Sequence, residues 1–244
     1  MSTPSHTTPT YKRVLLKLSG EAFSGEGGFG VVSEHIRHIA KEVADAQDHG
    51  VQVAIVVGGG NIIRGSQLAR EGVIHRATAD YMGMLGTVMN GIALREVLAG
   101  MGRPARCMTA LDIPGVAEPF IRLRAIHHLN KGEAIVLAGG IGNPFFTTDT
   151  TAALRATELE CDAILKATKV DGVYTADPKK DPAATRYSRL TFKEAVDKKL
   201  GVMDLTALTM CEENGVPVVV FDFREDGNIA KVVRGEDVGT VVSA

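Results

Sequence analysis

Seven short apolar runs, separated by longer amphipathic stretches, constrain the fold of this chain more than any other feature. The apolar residues in each run are consecutive rather than alternating, which is typical of strands buried on both faces of a parallel sheet. Strands are therefore predicted at residues 13–18, 51–57, 105–108, 133–138, 163–166, 218–221 and 240–242. Helical spacing of apolar residues between them predicts helices at residues 34–48, 80–99, 148–159 and 204–214. This alternation predicts an α/β fold with a largely parallel sheet sandwiched by helices.

The 244 residues are enough for one large domain or two small ones. Residues 1–9 are polar and lack an apolar core, so residues 1–10 are predicted to form a disordered tail rather than a secretory signal. No low-complexity linker divides residues 11–244, which are predicted to form a single domain with two lobes meeting across the carboxyl ends of the strands. In residues 170–182, a D-G pair and two Asp-Pro steps predict a hairpin and loop rather than a helix.

Charge and composition exclude several classes of partner. The 27 Lys and Arg residues against 29 Asp and Glu residues give a net charge of −2, so no basic field attracts nucleic acid. The longest β-branched apolar stretch, residues 53–57, is too short to span a membrane. The three cysteines are far apart and form no CxxC pair, which fits a reducing cytosol and predicts a cytoplasmic protein.

Three glycine-bearing loops follow three of the predicted strands, at residues 17–20, 58–61 and 139–144. Open α/β sheets bind ligands at the carboxyl ends of their strands. Glycines there expose backbone N–H groups, and a following helix presents its positive end, so each loop is suited to hold phosphate. A single loop of this kind is equally well explained as a tight turn. Three in one sheet, with Lys17 and Arg64 among them, predict a polyphosphate site.

Two common nucleotide-binding motifs are absent or misplaced. The chain has no GxxxxGK[ST] sequence, so it is not a P-loop enzyme. A GxGxxG sequence occurs at residues 25–30, but it begins seven residues after the first predicted strand ends. A dinucleotide fingerprint lies on the strand-to-helix turn itself, so a flexible glycine-rich surface loop is favoured over a dinucleotide site.

Two lysines and two aspartates are the candidates for chemistry on phosphate. Lys17 and Lys166 each end a predicted strand, so both ammonium groups can point into one cleft. Asp149 and Asp204 each open a predicted helix, where a carboxylate can orient those lysines or hold metal-bound water. Phosphoryl transfer needs positioning, cations over the developing charge, and Mg²⁺ on the donor. A lone strand-terminal lysine is usually a solvated charge, whereas two beside glycine loops favour a phosphoryl-transfer site.

Five motifs carry a resemblance to known enzymes: KLSGEAF at residues 17–23, GGGNIIRG at 58–65, DYMGMLGTVMNG at 80–91, GNPFFTTDT at 142–150 and KATKVDGVYTADP at 166–178. From about Tyr11 to its end, the chain resembles the bacterial uridylate kinases of the amino-acid-kinase family. The resemblance implies the three-layer amino-acid-kinase fold and transfer of the γ-phosphoryl group of ATP to UMP, giving UDP, in pyrimidine nucleotide biosynthesis. It also implies an acceptor-binding lobe at residues 11–160 and an ATP-binding lobe at residues 161–244.

The same resemblance implies a role for each matching residue. The residues that would bind ATP are Lys17, Leu18, Ser19, Gly20, Gly60, Arg64, Thr168, Tyr174 and Asp177. The residues that would bind UMP are Gly59, Asp80, Ile141, Gly142, Asn143, Pro144, Phe145, Phe146, Thr147 and Thr148. The residues that would act in catalysis are Lys17 and Lys166 on the transferring phosphoryl group, with Asp149 and Asp204 as organisers. Mg²⁺ would bind through the ATP phosphates, without a direct protein ligand.

The resemblance further implies a homohexamer that is activated by GTP and inhibited by UTP. The region of the GTP response would be Gly25, Glu26, Gly27, Gly28, Phe29 and Gly30. Two residues depart from the family pattern. Ile141 stands where many members have a small polar residue, which puts one UMP hydrogen bond in doubt, and Asp222 replaces a more usual Asn, which adds charge on the expected ATP side.

Two other functions stay open. The first is that of another enzyme of the same fold that phosphorylates a carboxylate or carbamate, and assays with UMP, acetylglutamate and carbamate as substrates would separate the two activities. A UMP-sensing regulator would bind nucleotide and DNA without turnover, although the intact lysine and aspartate set and the acidic net charge argue against it. His35 and His38 lie three residues apart on one helix face, but with no third ligand nearby a solvated face is favoured over a metal site.

Overall fold

The computed structural model describes residues 9–25, 27–63, 69–178 and 180–244. In these residues, one nine-stranded sheet runs through the molecule in the order β4-β3-β5-β2-β1-β6-β8-β9-β7. Its strands are β1 Arg13–Leu18, β2 Gln52–Val57, β3 Ala105–Thr109, β4 Glu118–Pro119, β5 Ala134–Ala138, β6 Ala163–Thr168, β7 Arg189–Thr191, β8 Val218–Asp222 and β9 Thr240–Ser243. Neighbouring strands are parallel except for the antiparallel pair β8 and β9. The predicted α/β fold with a largely parallel sheet is confirmed.

Helices cover both faces of this sheet. They are α1 Glu21–Ser24, α2 Ser33–Asp48, α3 Arg76–Gly100, α4 Arg122–Asn130, α5 Thr148–Glu158, α6 Phe192–Asp197, α7 Leu205–Glu213 and α8 Asn228–Val233. All seven predicted strands and all four predicted helices are present, with small shifts at their ends. The largest shift is at α3, which begins at Arg76 with His75 as its N-cap, so Asp80 lies in the second turn and not at the start of the helix.

Alternate residues of the central strands face two separate hydrophobic cores. On one face, Leu16 of β1 packs in a cluster with residues of α1, α2, α3 and α8. On the other face, Leu15 packs in a cluster with residues of α4, α5, α6 and α7. Both leucines are fully buried. The consecutive apolar residues of the strands are explained by these two cores, because side chains alternate between the faces of a sheet.

The order of the strands reverses at the centre of the sheet. Strand β2 lies on one side of β1 and β6 lies on the other, so the chain changes side when it passes from β5 to β6. Ligands in open α/β sheets bind at such a switch point, outside the carboxyl ends of the strands. Lys17 of β1 and Lys166 of β6 are directly paired in register at this position. The topology therefore aims both lysine side chains at the same face.

The segment at residues 170–182 has no helix among its described residues, which make one antiparallel bridge, between Tyr174 and Arg186. It is a short hairpin with a long tip, as its turn residues predict. At the other end of the chain, Thr10 donates a backbone hydrogen bond to Val233 (2.9 Å), so this last residue of the predicted tail is packed. Residues 1–8 lie outside the described residues. Among the described residues, no helix combines the length and apolarity needed to cross a bilayer.

Candidate active site

Two lysines and one aspartate form an ion-pair cluster at the switch point. Asp149, in the first turn of α5, receives Lys17 Nζ on Oδ1 at 2.9 Å and Lys166 Nζ on Oδ2 at 2.8 Å. Lys166 Nζ also donates to the carbonyl oxygen of Val202. The three charged side chains are largely buried, with relative exposures of 11%, 13% and 16%. The predicted lysines and one predicted aspartate are therefore in direct contact.

Burial and charge act in opposite directions on the pKa values of this cluster. Burial raises the pKa of Asp149, but the two ammonium groups outweigh it and hold that pKa below its usual range. Burial lowers the pKa of Lys166, and Lys17 adds to this effect, while Asp149 opposes it. One carboxylate between two ammonium groups leaves net positive charge. Preorganised positive charge of this kind stabilises an anionic transition state.

The loops after β1 and β2 touch each other beside this cluster. A Cβ on Gly58 would lie 2.7 Å from the nitrogen of Gly20, and a Cβ on Gly20 would lie 2.5 Å from the nitrogen of Gly60. Only glycine permits such an approach, and this explains the glycines of both loops. Leu18 is buried in the core and its carbonyl accepts from Gly58 N. Its predicted ATP contact is therefore restricted to its remaining backbone atoms.

A cavity with a volume of about 570 Å³, here called the first cavity, opens between these loops, α3 and the start of α5. Its lining residues are Gly59, Gly60, Ile63, Arg70, Ala79, Asp80, Gly83, Met84, Thr87, Gly140, Ile141, Asn143, Phe146, Thr147, Thr148 and Thr151. Seven of the ten residues predicted to bind UMP are in this set. Gly142, Pro144 and Phe145 are not: Gly142 closes a turn by donating to Gly139 O, and Phe145 is 61% exposed. Gly60, which the sequence predicts to bind ATP, also lines this cavity.

Asp80 holds the loop that follows β5. Its Oδ2 accepts from the backbone nitrogen of Phe145 at 2.8 Å and from Arg76 Nε at 3.1 Å. The Arg76 guanidinium in turn lies 5.7 Å from the centroid of the Phe145 ring. Phe145 has a φ of 73°, which is unusual for a residue with a side chain. Asp80 is thus an anchor for a strained loop as well as a wall of the cavity, and not a helix cap.

Asp204 is the N-cap of α7 and joins it to the start of α5. Its Oδ1 accepts from Ala207 N at 2.9 Å, and its carboxylate accepts from Thr150 Oγ1 at 3.0 Å. The hydroxyl of Thr147, which is itself the N-cap of α5, also donates to Asp204. Asp204 makes no hydrogen bond to either lysine among the contacts of the described residues. Its hydrogen bonds therefore hold the N-terminus of α5, while its negative charge acts on the Lys166 ammonium group in the direction that raises the pKa of that lysine.

The second cavity, with a volume of about 440 Å³, lies on the other side of the ion-pair cluster. Three of its lining residues, Thr168, Tyr174 and Asp177, were predicted to bind ATP. The others are Val170, Gly172, Val173, Thr175, Ala176, Pro178, Lys198, Lys199, Leu200, Gly201, Val202 and Val220. Val202 belongs to this cavity and contacts Lys166, while Thr148, next to Asp149, belongs to the first cavity. The charged cluster therefore lies between the two cavities.

Comparison with known proteins identifies the family. Residues 12–222 match the amino acid kinase family. The chain belongs to the amino acid kinase family. The structure is similar to that of the UMP kinase from Bacillus anthracis, with a TM-score of 0.93, 44% identity and 96% of each chain covered. It is also similar to the UMP kinase from Ureaplasma parvum, with a TM-score of 0.90 and 34% identity over 96% of this chain and 99% of that one. A third similar structure is that of the uridylate kinase from Archaeoglobus fulgidus, with a TM-score of 0.71 and 33% identity over 94% of this chain and 99% of that one.

The glycine-rich segment at residues 25–30 of this amino acid kinase follows α1 instead of a strand. It is therefore not a dinucleotide-binding turn, in agreement with its position in the sequence. Gly25, Gly27 and Gly30 have positive φ, and Phe29 is 80% exposed. Glu26, predicted with this segment, and Arg64, predicted to bind ATP, lie outside the described residues.

The three potential metal ligands that the described residues bring together are His38, Glu42 and Asp226. Glu42, and not His35, is the neighbour of His38 in this group, because α2 packs against α8. Glu42 already accepts from Gly227 N at 2.6 Å and Ile229 N at 3.2 Å, so it serves as a cap for α8. His38 and Asp226 are within 3.1 Å of each other. These contacts hold α2 against the start of α8, and the three residues are far in sequence from the charged cluster.

The two departures from the family pattern have different consequences. Ile141 lines the first cavity with an apolar side chain, so its backbone is what remains for a hydrogen bond to a ligand. Asp222 is paired with Arg224, whose Nη2 lies 2.5 Å from its Oδ2. Burial raises the pKa of Asp222, but hydrogen bonds and charge from Arg224 outweigh this and lower it. The charge of the additional carboxylate is thus neutralised by Arg224, two residues further along the chain.

Several cavity residues were missed from the sequence. On α3, Gly83, Met84 and Thr87 follow Asp80 by three, four and seven residues, which places them on the same helix face. Helical spacing from Asp80 is therefore a sequence signal that identifies these three residues as its neighbours. Residues 198–202 of the second cavity carried no comparable signal, because they reach it only through the packing of α6 and α7.

Proposed function

We propose that this amino acid kinase transfers the γ-phosphoryl group of ATP to UMP, giving ADP and UDP. The observation that carries the proposal is the Lys17–Asp149–Lys166 cluster between two nucleotide-sized cavities. The similarity to UMP kinases over nearly the whole chain supports the choice of acceptor. As the resemblance implies, the acceptor half is residues 11–160 and the ATP half is residues 161–244. The reaction belongs to pyrimidine nucleotide biosynthesis.

In the transfer, a phosphate oxygen of UMP bonds to the γ-phosphorus of ATP while the bond to the β–γ bridging oxygen breaks. Negative charge spreads over the equatorial oxygens of the transferring group. Lys17 and Lys166 supply cations that are already in place, because Asp149 holds both ammonium groups. The enzyme therefore does not have to gather its cations during the reaction, which is the usual source of electrostatic catalysis.

UMP is proposed to occupy the first cavity. The carboxylate of Asp80 accepts hydrogen bonds and is suited to the ribose hydroxyls, but it has no proton to donate to the uracil carbonyls. Selection of the base therefore falls to Phe146, Thr147 and Thr148, with backbone atoms of Ile141 and Asn143. The phosphate of UMP would face Gly59, which lines the first cavity together with Thr148, the residue that precedes Asp149.

ATP is proposed to occupy the second cavity, with its nucleoside beside Thr168, Tyr174 and Asp177. Its phosphates would reach Lys17 and the loops that contain Ser19, Gly20, Gly60 and Arg64. Mg²⁺ fits on the phosphates rather than on the protein, because Asp149 is engaged by two lysines and Asp204 by two threonines and a backbone nitrogen. When bound there, the metal neutralises phosphate charge.

Regulation and assembly follow from the resemblance to uridylate kinases. GTP is proposed as activator, acting through residues 25–30, and UTP as inhibitor, in a cytoplasmic homohexamer. Self-association is supported by an exposed apolar stripe on α3, where Tyr81, Leu85 and Met89 are 43%, 50% and 55% exposed. Side chains four residues apart share one helix face, so these three form a continuous contact surface.

A coupled assay of ADP release tests the proposal. Purified protein is given ATP, Mg²⁺ and one acceptor at a time: UMP, CMP, acetylglutamate or carbamate. The proposal expects turnover with UMP far above the other three. Turnover with a carboxylate or carbamate would assign another activity of the family. Tight UMP binding without ADP release would point to a nucleotide sensor.

A further inference from the structure

A pair of buried asparagines lies where three glycine-bearing segments meet. Asn61 Nδ2 donates to Asn90 Oδ1 at 3.0 Å, and Asn90 Nδ2 donates to Asn61 Oδ1 at 2.7 Å. The two carboxamides thus form a reciprocal, two-bond ring between the loop after β2 and the middle of α3. Asn61 is 2% exposed and Asn90 is fully buried.

Each carboxamide uses its second N–H on a different glycine loop. Asn90 Nδ2 donates to the carbonyl of Gly58 at 2.7 Å, which fixes the loop after β2. Asn61 Nδ2 donates to the carbonyl of Gly30 at 2.7 Å, and Gly30 N donates back to Asn61 O at 2.9 Å. All four amide protons of the pair are used. A fully satisfied buried network of this kind rigidifies the segments that it joins.

The third segment reaches the pair by close packing. A Cβ on Gly20 would lie 2.6 Å from Asn61 Oδ1, so the loop after β1 rests directly on the carboxamide. Asn90 lies one turn beyond Thr87 on α3, and Thr87 lines the first cavity. The pair is therefore joined to both loops near the phosphates, to the segment at residues 25–30 and to the helix beside the acceptor.

We infer that Asn61 and Asn90 are positioning residues that hold the loops after β1 and β2 in the arrangement that binds the phosphate of the acceptor and donor. The inference rests on the proposed function, because it takes these loops as phosphate sites. Neither side chain lines the first or the second cavity, where the substrates are proposed to bind, so the pair acts without touching substrate. They act through the backbone of Gly58 and through the contact with Gly20.

The inference predicts that a broken pair weakens recognition of phosphate but not of nucleoside. Asn61→Ala, Asn90→Ala and the double variant are compared with the wild-type protein for binding of UMP and of uridine by calorimetry. A small misplacement of a reacting group costs up to about 10²-fold in rate. The expected result is a roughly tenfold loss of the preference for UMP over uridine, with uridine binding unchanged and kcat lowered.

A second expectation concerns additivity. Since each asparagine needs the other to complete the ring, the double variant should lose about as much as either single variant, because residues in one network are not additive. Asn228→Ala is the matched control: Asn228 is 3% exposed and donates to Asp222 O at 2.8 Å, but lines neither cavity. It should keep the wild-type preference for UMP over uridine.

Three outcomes would overturn the inference: an unchanged preference in folded Asn61 and Asn90 variants, equal losses in Asn228→Ala, or fully additive losses in the double variant. If the alanine variants do not fold, Asn61→Ser and Asn90→Ser, which each keep one donor, are measured in their place against the same expectations. Failure of the proposed function would be distinct, because the wild-type protein itself would then not phosphorylate UMP.

Discussion

The proposed acceptor and donor cavities of this kinase are built in different ways. The acceptor cavity is enclosed by strand ends and helices that buried side chains tie together: Thr87 Oγ1, for example, donates to Met84 O at 2.6 Å and accepts from Gly139 N at 2.7 Å. The donor cavity is enclosed by a hairpin and a loop, where Asp177, Lys198 and Lys199 are exposed. A cavity fixed before binding can discriminate between ligands at little ordering cost, whereas loops must be ordered by the ligand.

This difference assigns separate tasks to the two halves. Selection of the nucleoside is expected on the acceptor side, where few groups can move. On the donor side, affinity should come from the phosphates and the charged cluster, with a smaller contribution from the nucleoside. Changes at the cluster should therefore affect chemistry, changes in the first cavity should affect acceptor choice, and changes in the hairpin should have small effects.

The largest effect is expected for Lys17→Ala, which removes a cation shared by both halves. Loss of one preorganised electrostatic contact costs about 10²-fold or more in kcat. UMP binding, measured without ATP, should stay close to wild type. Lys12→Ala is the control, because Lys12 is an exposed lysine just before the same strand. Near-normal kcat in Lys17→Ala would remove Lys17 from the catalytic set.

A smaller effect, on the acceptor alone, is expected for Asp80→Ala. The variant loses the proposed ribose contact and the bond to Phe145 N, so KM for UMP should rise roughly tenfold, as for a lost charged hydrogen bond. The preference for UMP over dUMP should narrow, while that for UMP over CMP should largely remain. The measurement is kcat/KM for the three acceptors.

Arg76→Ala separates the two tasks of Asp80. It removes the exposed ion pair to Asp80 and the contact with the Phe145 ring but leaves the bond from Phe145 N. Exposed ion pairs contribute little to stability. The preferences for UMP over dUMP and over CMP, measured as ratios of kcat/KM, should therefore stay near their wild-type values. If Arg76→Ala reproduces the Asp80→Ala profile, Asp80 acts by anchoring the loop and does not select the sugar.

The fold was predictable because its strands are buried on both faces. Consecutive valines, isoleucines and leucines in β1, β2 and β5 are a strong signal for such strands, whereas the order of the strands in the sheet is known only from the structure. Strands β4 and β7 have two and three residues, too few for any periodic pattern. The early start of α3 was missed since its N-cap is His75, which is not among the residues that commonly cap helices.

The site was predictable only in part, for a physical reason. Lys17 and Lys166 lie near the carboxyl ends of β1 and β6, and parallel strands bring their carboxyl ends to one edge, so their meeting could be foreseen. The hydrogen-bond partners of Asp204 could not be foreseen. Whether its carboxylate accepts from an ammonium group or from two threonine hydroxyls depends on how α5 packs against α7. The same holds for Asn61 and Asn90, which are 29 residues apart.

A moderate effect on stability is expected at low pH from Asp149. Its pKa is lowered in the folded protein, so its stabilising contribution is complete above the pKa of the unfolded chain, about 3.9. The contribution is lost as the pH falls through the lower, folded-state pKa. Asp149→Asn should therefore be less stable than wild type at pH 7, and the difference should shrink below about pH 4.

Urea unfolding of both proteins across this pH range measures the difference. Asp226→Asn is the control, because Asp226 is 71% exposed in its ion pairs, and such pairs contribute little. A gap between wild type and Asp149→Asn that stays constant down to the lowest pH would show that the carboxylate is not held ionised by its two lysines.

The smallest effect is expected in the donor hairpin, from Tyr174→Phe. The phenol donates to Asp171 Oδ1 at 2.7 Å, and this bond with the nearby carboxylate raises the pKa of Tyr174. Because the bond is near the surface, its loss should loosen the hairpin only slightly, and KM for ATP should rise roughly two- to threefold. KM for UMP should not change, since the acceptor cavity is held by other elements. Tyr11→Phe is the control and should alter neither constant, because Tyr11 lines neither cavity. A rise in KM for UMP as large as that for ATP would show that the hairpin and the acceptor cavity form one unit, and the division between a fixed and an adaptable half would have to be abandoned.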